Sequence, residues 1–285
     1  MTKKILKTIT QKSNNLLQRL VYELDFRINN PMNRLLNDFQ HLFRKNGLNI
    51  CYNRFISRDY KLDKKNILIA IDSPAVVEYR KWLKPEMEFI AEISFANYYN
   101  LKHYYCPREL YIANDTHVYL KPSREYKKNR LVSMIYSNSK ILEGHKFRHK
   151  VAELFKDQID RYGTGADPSK KTTDLKKIIT LDKYMFQIAI ENGKYPEYVS
   201  EKFYDCVKTR TIPIYPGGEK AIKKMGFDRE GILFFDTIED LEKIFDEKVS
   251  KSTYKKKKDA IDYNLKRLIE IRNERKLNFF FNTLK

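Results

Sequence analysis

Between residues 131 and 245, short apolar runs alternate with stretches whose apolar residues recur at helical spacing, and no other feature limits the fold as much. Segments 131–136, 184–190, 211–215 and 232–235 read as strands. Segments 146–162, 200–208 and 238–245 read as helices, with one more after Gly217-Gly218. In 146–162, Phe147, Val151, Leu154 and Phe155 form the apolar side. Strands separated by helices build an α/β layer around a mostly parallel sheet. Pro213 cannot donate a ladder hydrogen bond, which predicts an irregular edge for its strand.

Upstream the pattern is sparser. Segment 66–71 is a short buried strand stopped by Asp72-Ser73-Pro74, and 89–93 is a second, shorter one. The tyrosine-rich stretch 98–111 reads as loops over an aromatic surface. Residues 3–45 repeat apolar positions at helical spacing with lysine and arginine between them. Helices packed on a core explain that pattern, and so does a basic amphipathic surface pair. The polar, basic run 121–130 reads as a linker. The expected organisation is therefore an N-terminal domain over 1–125, a second domain over 126–265, and a C-terminal helix and tail over 266–285. One last helix is expected at 253–275, followed by the aromatic residues Phe279 to Phe281. Ligands of such sheets bind beyond the carboxyl ends of the strands.

The 56 lysines and arginines outnumber the 37 acidic residues and leave a formal charge of +19, which favours anionic partners. Cys51, Cys106 and Cys206 form no CxxC pair and read as ordinary thiols in a reducing compartment. The start of the chain has no signal-like apolar region, and no uncharged apolar run is long enough to span a bilayer. A cytoplasmic protein is expected, with peripheral contact to an anionic membrane left open. There is no Asp-x-Asp, GxGxxG or GxxxxGK[ST] run, and His145 and His149 lack a glutamate for a metal motif. No cofactor or metal site is expected.

The chemistry concentrates in 191–202. Glu191 and Asn192 leave the end of a buried strand, Ser200 is a good N-cap, and Glu201 and Lys202 enter the first helical turn. A lysine there opposes the helix dipole by roughly 0.3–1 kcal/mol. It is well placed if a phosphate binds at that end. Alternatively, Lys202 turns out into water while Glu201 complements the dipole.

Three runs in order, Ile190-Glu191-Asn192 with Tyr198-Val199-Ser200-Glu201-Lys202, then Ile212-Pro213-Ile214-Tyr215-Pro216-Gly217, then Phe235-Asp236, resemble the donor-binding half of the family-10 glycosyltransferases, the α-1,3/1,4-fucosyltransferases. Less closely, Ser137-Asn138 followed by Arg148 resembles the family's Ser-Asn segment and phosphate-contacting arginine. Asp72-Ser73-Pro74 resembles its Glu-Ser-Pro, whose glutamate is the general base.

The resemblance implies two Rossmann-like domains facing a cleft, the GT-B type, and inverting transfer of fucose from GDP-fucose to a hydroxyl of an oligosaccharide or glycolipid. Catalytic roles fall to Asp72, Glu191, Arg148 and Lys202. Donor contacts fall to Ser137, Asn138, Asn192, Tyr198, Ser200, Glu201, Lys202 and Arg148. Asp72 is one methylene shorter than the family's glutamate, so Glu78, Glu88 and Glu92 remain other bases. Gly193 replaces a serine, and Pro216-Gly217-Gly218 loosens the turn near the donor, changes that bear on which sugar is accepted. The helix dipole and basic side chains would replace a metal ion. Two alternatives stand beside this reading: a related transferase using another nucleotide sugar, and a basic nucleic-acid-binding protein. The dispersed charge and the lack of a nucleic-acid-binding signature argue against nucleic acid.

Overall fold

The computed structural model describes residues 48–52, 60–62, 65–69, 73–81, 83–89, 91–94, 102–105, 123–167 and 174–274. The expected helices within 3–45, Asp72, Cys106 and the tail at Phe279 to Phe281 lie outside the described residues. The described chain holds two parallel sheets.

The first sheet runs β1 (Leu48–Tyr52), β2 (Lys65–Ile69), β3 (Ala91–Ser94) and β4 (Lys102–Tyr105), each beside the next. Helix α1 (Pro74–Tyr79) follows β2, with Ser73 as N-cap and Pro74 supplying the preset φ of a first helical position. Strand β1 has no counterpart in the sequence expectation, and β4 lies inside the stretch expected to be loops. Lys102-His103-Tyr104-Tyr105 offers no apolar alternation, so its strand character comes from pairing with β3.

The second sheet has five parallel strands in the order β6-β5-β7-β8-β9: β5 (Arg130–Ile135), β6 (Asp160–Tyr162), β7 (Tyr184–Ile188), β8 (Ile212–Tyr215) and β9 (Leu233–Phe234). Its helices are α2 (Glu143–Leu154), α3 (Asp174–Leu181), α4 (Glu201–Lys208), α5 (Glu219–Lys224), α6 (Ile238–Glu247), α7 (Lys251–Lys256) and α8 (Lys258–Glu274). This is the expected α/β fold with a parallel sheet.

Neighbouring strand residues point to opposite faces, and the core divides accordingly. Phe186, Ile188, Ile190, Ile212 and Ile214 pack with Val151 of α2, Phe155 just past its end, and Leu241 and Ile244 of α6. Ala189 and Tyr215 face the other way, into Phe203 and Val207 of α4, Ile222 of α5 and Leu268 of α8. Helix α8 therefore binds a face of the sheet laid down much earlier in the chain.

Four expectations need correction. The helix expected over 146–162 stops at Leu154, which is 54% exposed rather than apolar core, and the chain then forms edge strand β6. Helix α3 was not expected. Pro213 sits in an interior strand opposite Gln187, one residue before pairing with β9 begins at Ile214, so the ladder on that side does not yet need its N–H. The single last helix is two, with Ser250 capping α7 through the Thr253 N–H at 3.0 Å and a break at Lys257. The Lys257 ammonium is held there by the Glu230 carbonyl at 2.7 Å.

Candidate active site

The candidate site lies beyond the carboxyl end of β7. Three residues past that strand, Glu191 is 4% exposed and its carboxylate receives four hydrogen bonds. Its Oε1 accepts from the Ser200 N–H at 2.9 Å and from the Tyr215 hydroxyl at 2.6 Å. Its Oε2 accepts from the Ser200 hydroxyl at 2.8 Å and the Lys202 ammonium at 3.0 Å. The anion at the start of α4 is thus the chain's own carboxylate. This explains why a lysine is tolerated in that first turn, since Glu191 sits where the dipole favours negative charge and ties Lys202 down. Lys202 turns inward. Its remaining donors reach the Ser200 Oγ at 3.0 Å and the Glu201 Oε1 at 3.1 Å. Ser200 is the expected N-cap and accepts from the Lys202 N–H.

Burial pushes the Glu191 carboxyl up, but the Lys202 ammonium and the Ser200 and Tyr215 hydroxyls outweigh it even against nearby Glu201, and the net shift is downward. Burial first, and Glu191 second, hold the Tyr215 hydroxyl well above its ordinary range, so it remains a donor.

A second layer fixes Asn192. Arg148, 6% exposed on α2, donates from Nε to the Ile190 carbonyl at 2.8 Å and from a terminal nitrogen to the Asn192 Oδ1. His145 reaches the same oxygen with Nε2 at 3.2 Å. The Leu142 N–H points at the His145 Nδ1 at 3.2 Å and can only donate, so Nδ1 is the acceptor and Nε2 carries the proton. Burial, then Arg148, lowers the imidazole's pKa, in keeping with a neutral ring. With Oδ1 taken twice, the Asn192 amide nitrogen faces away and makes no hydrogen bond among the described residues. Gly144 lets α2 come this close. A Cβ there would stand 2.0 Å from the Glu191 carbonyl oxygen.

Glu191, Ser200, Glu201 and Lys202 therefore form one hydrogen-bonded group, and Arg148 with Asn192 a second one joined to it through the 190–192 backbone. Tyr198 is buried beside it. Ser137 and Asn138 are exposed just past β5, and the Asn138 N–H donates to the Thr164 Oγ1 at 3.1 Å. They make no hydrogen bond to the cluster among the described residues. The Gly163-Thr164-Gly165 turn follows strand β6 rather than a helix, and packs on Tyr136. The turn at Gly217-Gly218 is tight, not loosened: both glycines have positive φ, and a Cβ on Gly218 would meet Val199 at 2.7 Å. Asp72 lies outside the described residues, but α1, which begins two residues later, touches this loop. The Ala75 N–H donates to the Tyr195 hydroxyl at 3.1 Å. Glu78 and Glu88 are exposed.

Sequence reasoning missed His145 and Tyr215. The signal for His145 was its position in the first turn of a helix, three residues ahead of Arg148. For Tyr215 it was a polar tip closing an otherwise apolar strand.

Residues 125–243 match the family model described as "Glycosyltransferase family 10 (fucosyltransferase) C-term". This stretch is a family-10 glycosyltransferase domain. The match bears out the resemblance carried by 191–202, and the glycosyltransferase class with it. No curated protein matches the chain. Among solved structures, an alpha1,3-fucosyltransferase with GDP is 16% identical, covers 77% of this chain and 68% of its own, and has a TM-score of 0.48. One with GDP-fucose is 15% identical over 76% and 68%, also at 0.48. Among the described residues no helix is long and apolar enough to cross a membrane. No group of three or more His, Cys, Asp or Glu suited to a metal is found there either.

Proposed function

We propose that this family-10 domain binds a GDP-sugar beyond the carboxyl ends of β5, β7 and β8, and that the chain transfers fucose from GDP-fucose to a glycan hydroxyl with inversion. The observation that carries the reading is the Glu191–Ser200–Lys202 cluster, a buried carboxylate that holds a cation and a helix start in place. Glu191 acts here by positioning. With all four bonds satisfied, it fixes Lys202 rather than reaching substrate. Lys202 is 24% exposed, and by releasing Glu201 it can turn one donor toward the departing diphosphate. Arg148 is a rigid, buried source of positive potential that also aims the Asn192 amide N–H₂ outward at the donor. Fixed donors of this kind stabilise developing charge without reorganising during the step. Ser137, Asn138 and the Gly163–Gly165 turn border the same edge and complete the donor wall. Transfer is expected without a metal, the diphosphate charge being met by these side chains.

In this reading the N-terminal half, 1–125, supplies the acceptor side, 126–265 the donor side, in a GT-B arrangement. Asp72 takes the proton of the attacking hydroxyl, with Glu78, Glu88 and Glu92 as other carboxylates of that half. The contact of Ala75 with Tyr195 supports Asp72, because it ties the segment after Asp72 to the donor loop. The acceptor is an oligosaccharide or glycolipid, and peripheral contact with an anionic membrane is compatible with the charge of +19. The test is a transfer assay with GDP-fucose against a panel of glycans, using wild type, Lys202→Ala and Asp72→Asn. Release of GDP dependent on a glycan, and lost in both variants, is the expected result. Activity with UDP- or CMP-sugars alone would retain the domain and remove the fucose assignment.

A further inference from the structure

The two basic runs of the sequence, residues 124–130 and 255–258, meet in three dimensions. Residues 124–128 of the first, with Lys255 and Lys258 of the second, line a cavity of about 680 Å³ at the opposite end of the second sheet from the donor cluster. All five strands are parallel, so their amino ends share one edge. The cavity sits there, formed by the coil leading into β5, by Met185 near the start of β7, and by α7 and the start of α8.

Its cations differ in availability. Arg124 is committed to Asp182 through two hydrogen bonds, at 3.0 and 2.5 Å. Lys258 pairs with Asp262 at 2.7 Å. Arg210, just behind, is held by Asp262 at 3.0 Å and lies 4.7 Å over the Tyr126 ring. The Lys128 ammonium faces inward onto the Thr209 carbonyl at 2.6 Å and the Thr211 hydroxyl at 2.9 Å. Lys127, Lys251 and Lys255 line the cavity and make no ion pair among the described residues. Lys251 and Lys255 are four apart on α7 and so share a face, while Lys127 approaches from the coil. Glu125 is the one carboxylate among the lining residues. Between these walls, Tyr126, Tyr254 and Met185 give an aromatic and apolar floor.

We propose that this cavity is a second anion site, taking a ligand with two or more phosphoryl groups on a carbon skeleton that rests on Tyr126 and Tyr254. Cations on two facing walls call for a ligand with more than one anionic group. The uncommitted cations are lysines, which act as point charges, while the arginine forks that suit planar carboxylates are already spent. Gathering like charges around a cavity disfavours the folded state, and a bound polyanion removes that cost. Such phosphoryl groups come either from a soluble phosphorylated molecule or from lipid headgroups. The site stands independently of the donor assignment.

The test is calorimetric titration of the full chain with inorganic tripolyphosphate at rising salt. Wild type should bind, and binding should weaken with salt, because exposed charges are screened. A Lys251→Gln/Lys255→Gln double variant with an unchanged melting profile should lose about tenfold in affinity. Lys202→Ala should leave this binding unchanged. No binding, equal binding by the double variant, or loss of binding in Lys202→Ala would overturn the proposal, the last because the probe then occupies the donor cluster. Sedimentation with phosphatidylglycerol vesicles distinguishes the sources. Vesicle binding lost in the double variant and competed by tripolyphosphate supports headgroups. Tripolyphosphate binding without vesicle binding supports a soluble ligand.

Discussion

The two ends of the second sheet handle charge in opposite ways. At the carboxyl ends, Lys202, Glu191 and Glu201 close on one another and Arg148 closes on Asn192, and most of their donors and acceptors are spent on fixing geometry. At the amino ends, Lys127, Lys251 and Lys255 stand around a cavity with no acidic partner among the described residues. A satisfied cluster holds its shape before a ligand arrives, and removing one member leaves the others buried and unmatched. An unsatisfied one contributes little to folding and is open to an external anion. The difference is a matter of stability as much as of binding, and substitutions can separate the two.

The largest effect is expected at Glu191. Replacing it with alanine leaves Lys202, Ser200 and Tyr215 without their shared acceptor, and breaking a buried pair of this kind costs about 3–5 kcal/mol. Denaturant unfolding measures it, and a loss under about 1 kcal/mol would mean the network is not holding the start of α4. Next comes Gly144→Ala. Its Cβ would stand 2.0 Å from a backbone carbonyl that cannot swing away, and overpacking of this sort costs about 1–3 kcal/mol. Donor affinity should fall too, because Asn192 is carried on the displaced segment.

The acid limb gives a gentler handle. The folded-state pKa of Glu191 is depressed, so its contribution is fully present above the ordinary carboxylate value, about 4.3. That contribution is lost as pH falls through the lower, folded value. Stability measured from neutral pH down into this range should decline, and in Glu191→Gln that part of the decline should flatten. An unchanged acid limb in the variant would contradict the linkage. At the other end of the sheet, Lys251→Gln/Lys255→Gln should leave stability within about 0.5 kcal/mol of wild type. A large loss would show that these lysines have internal partners after all, and the contrast would fail.

Much of the second sheet was readable in the sequence because its strands are buried on both faces. Phe186, Ile188, Ile212 and Ile214 announce themselves as apolar runs whatever surrounds them. Ser200 was readable because an N-cap is local chemistry. What could not be read depends on contacts distant in sequence. Asp160-Arg161-Tyr162 has no apolar residue inside to mark a strand and exists by pairing with Ser133 to Ile135. The inward turn of Lys202 depends on a carboxylate eleven residues away, and the convergence of the basic runs on α8 closing against α4. The resemblance of 191–202 to a known family supplied what periodicity lacks, an expectation of which of these residues meet.

One measurement bears most directly on the donor assignment: thermal unfolding of wild type and Lys202→Ala with and without GDP-fucose. A donor at a hundred times its dissociation constant adds about 2.7 kcal/mol of stability. A clear upward shift in wild type that is abolished or greatly reduced in Lys202→Ala is predicted. Equal shifts in both proteins, or none in either, would contradict the assignment of the Glu191–Lys202 cluster to the nucleotide-sugar donor.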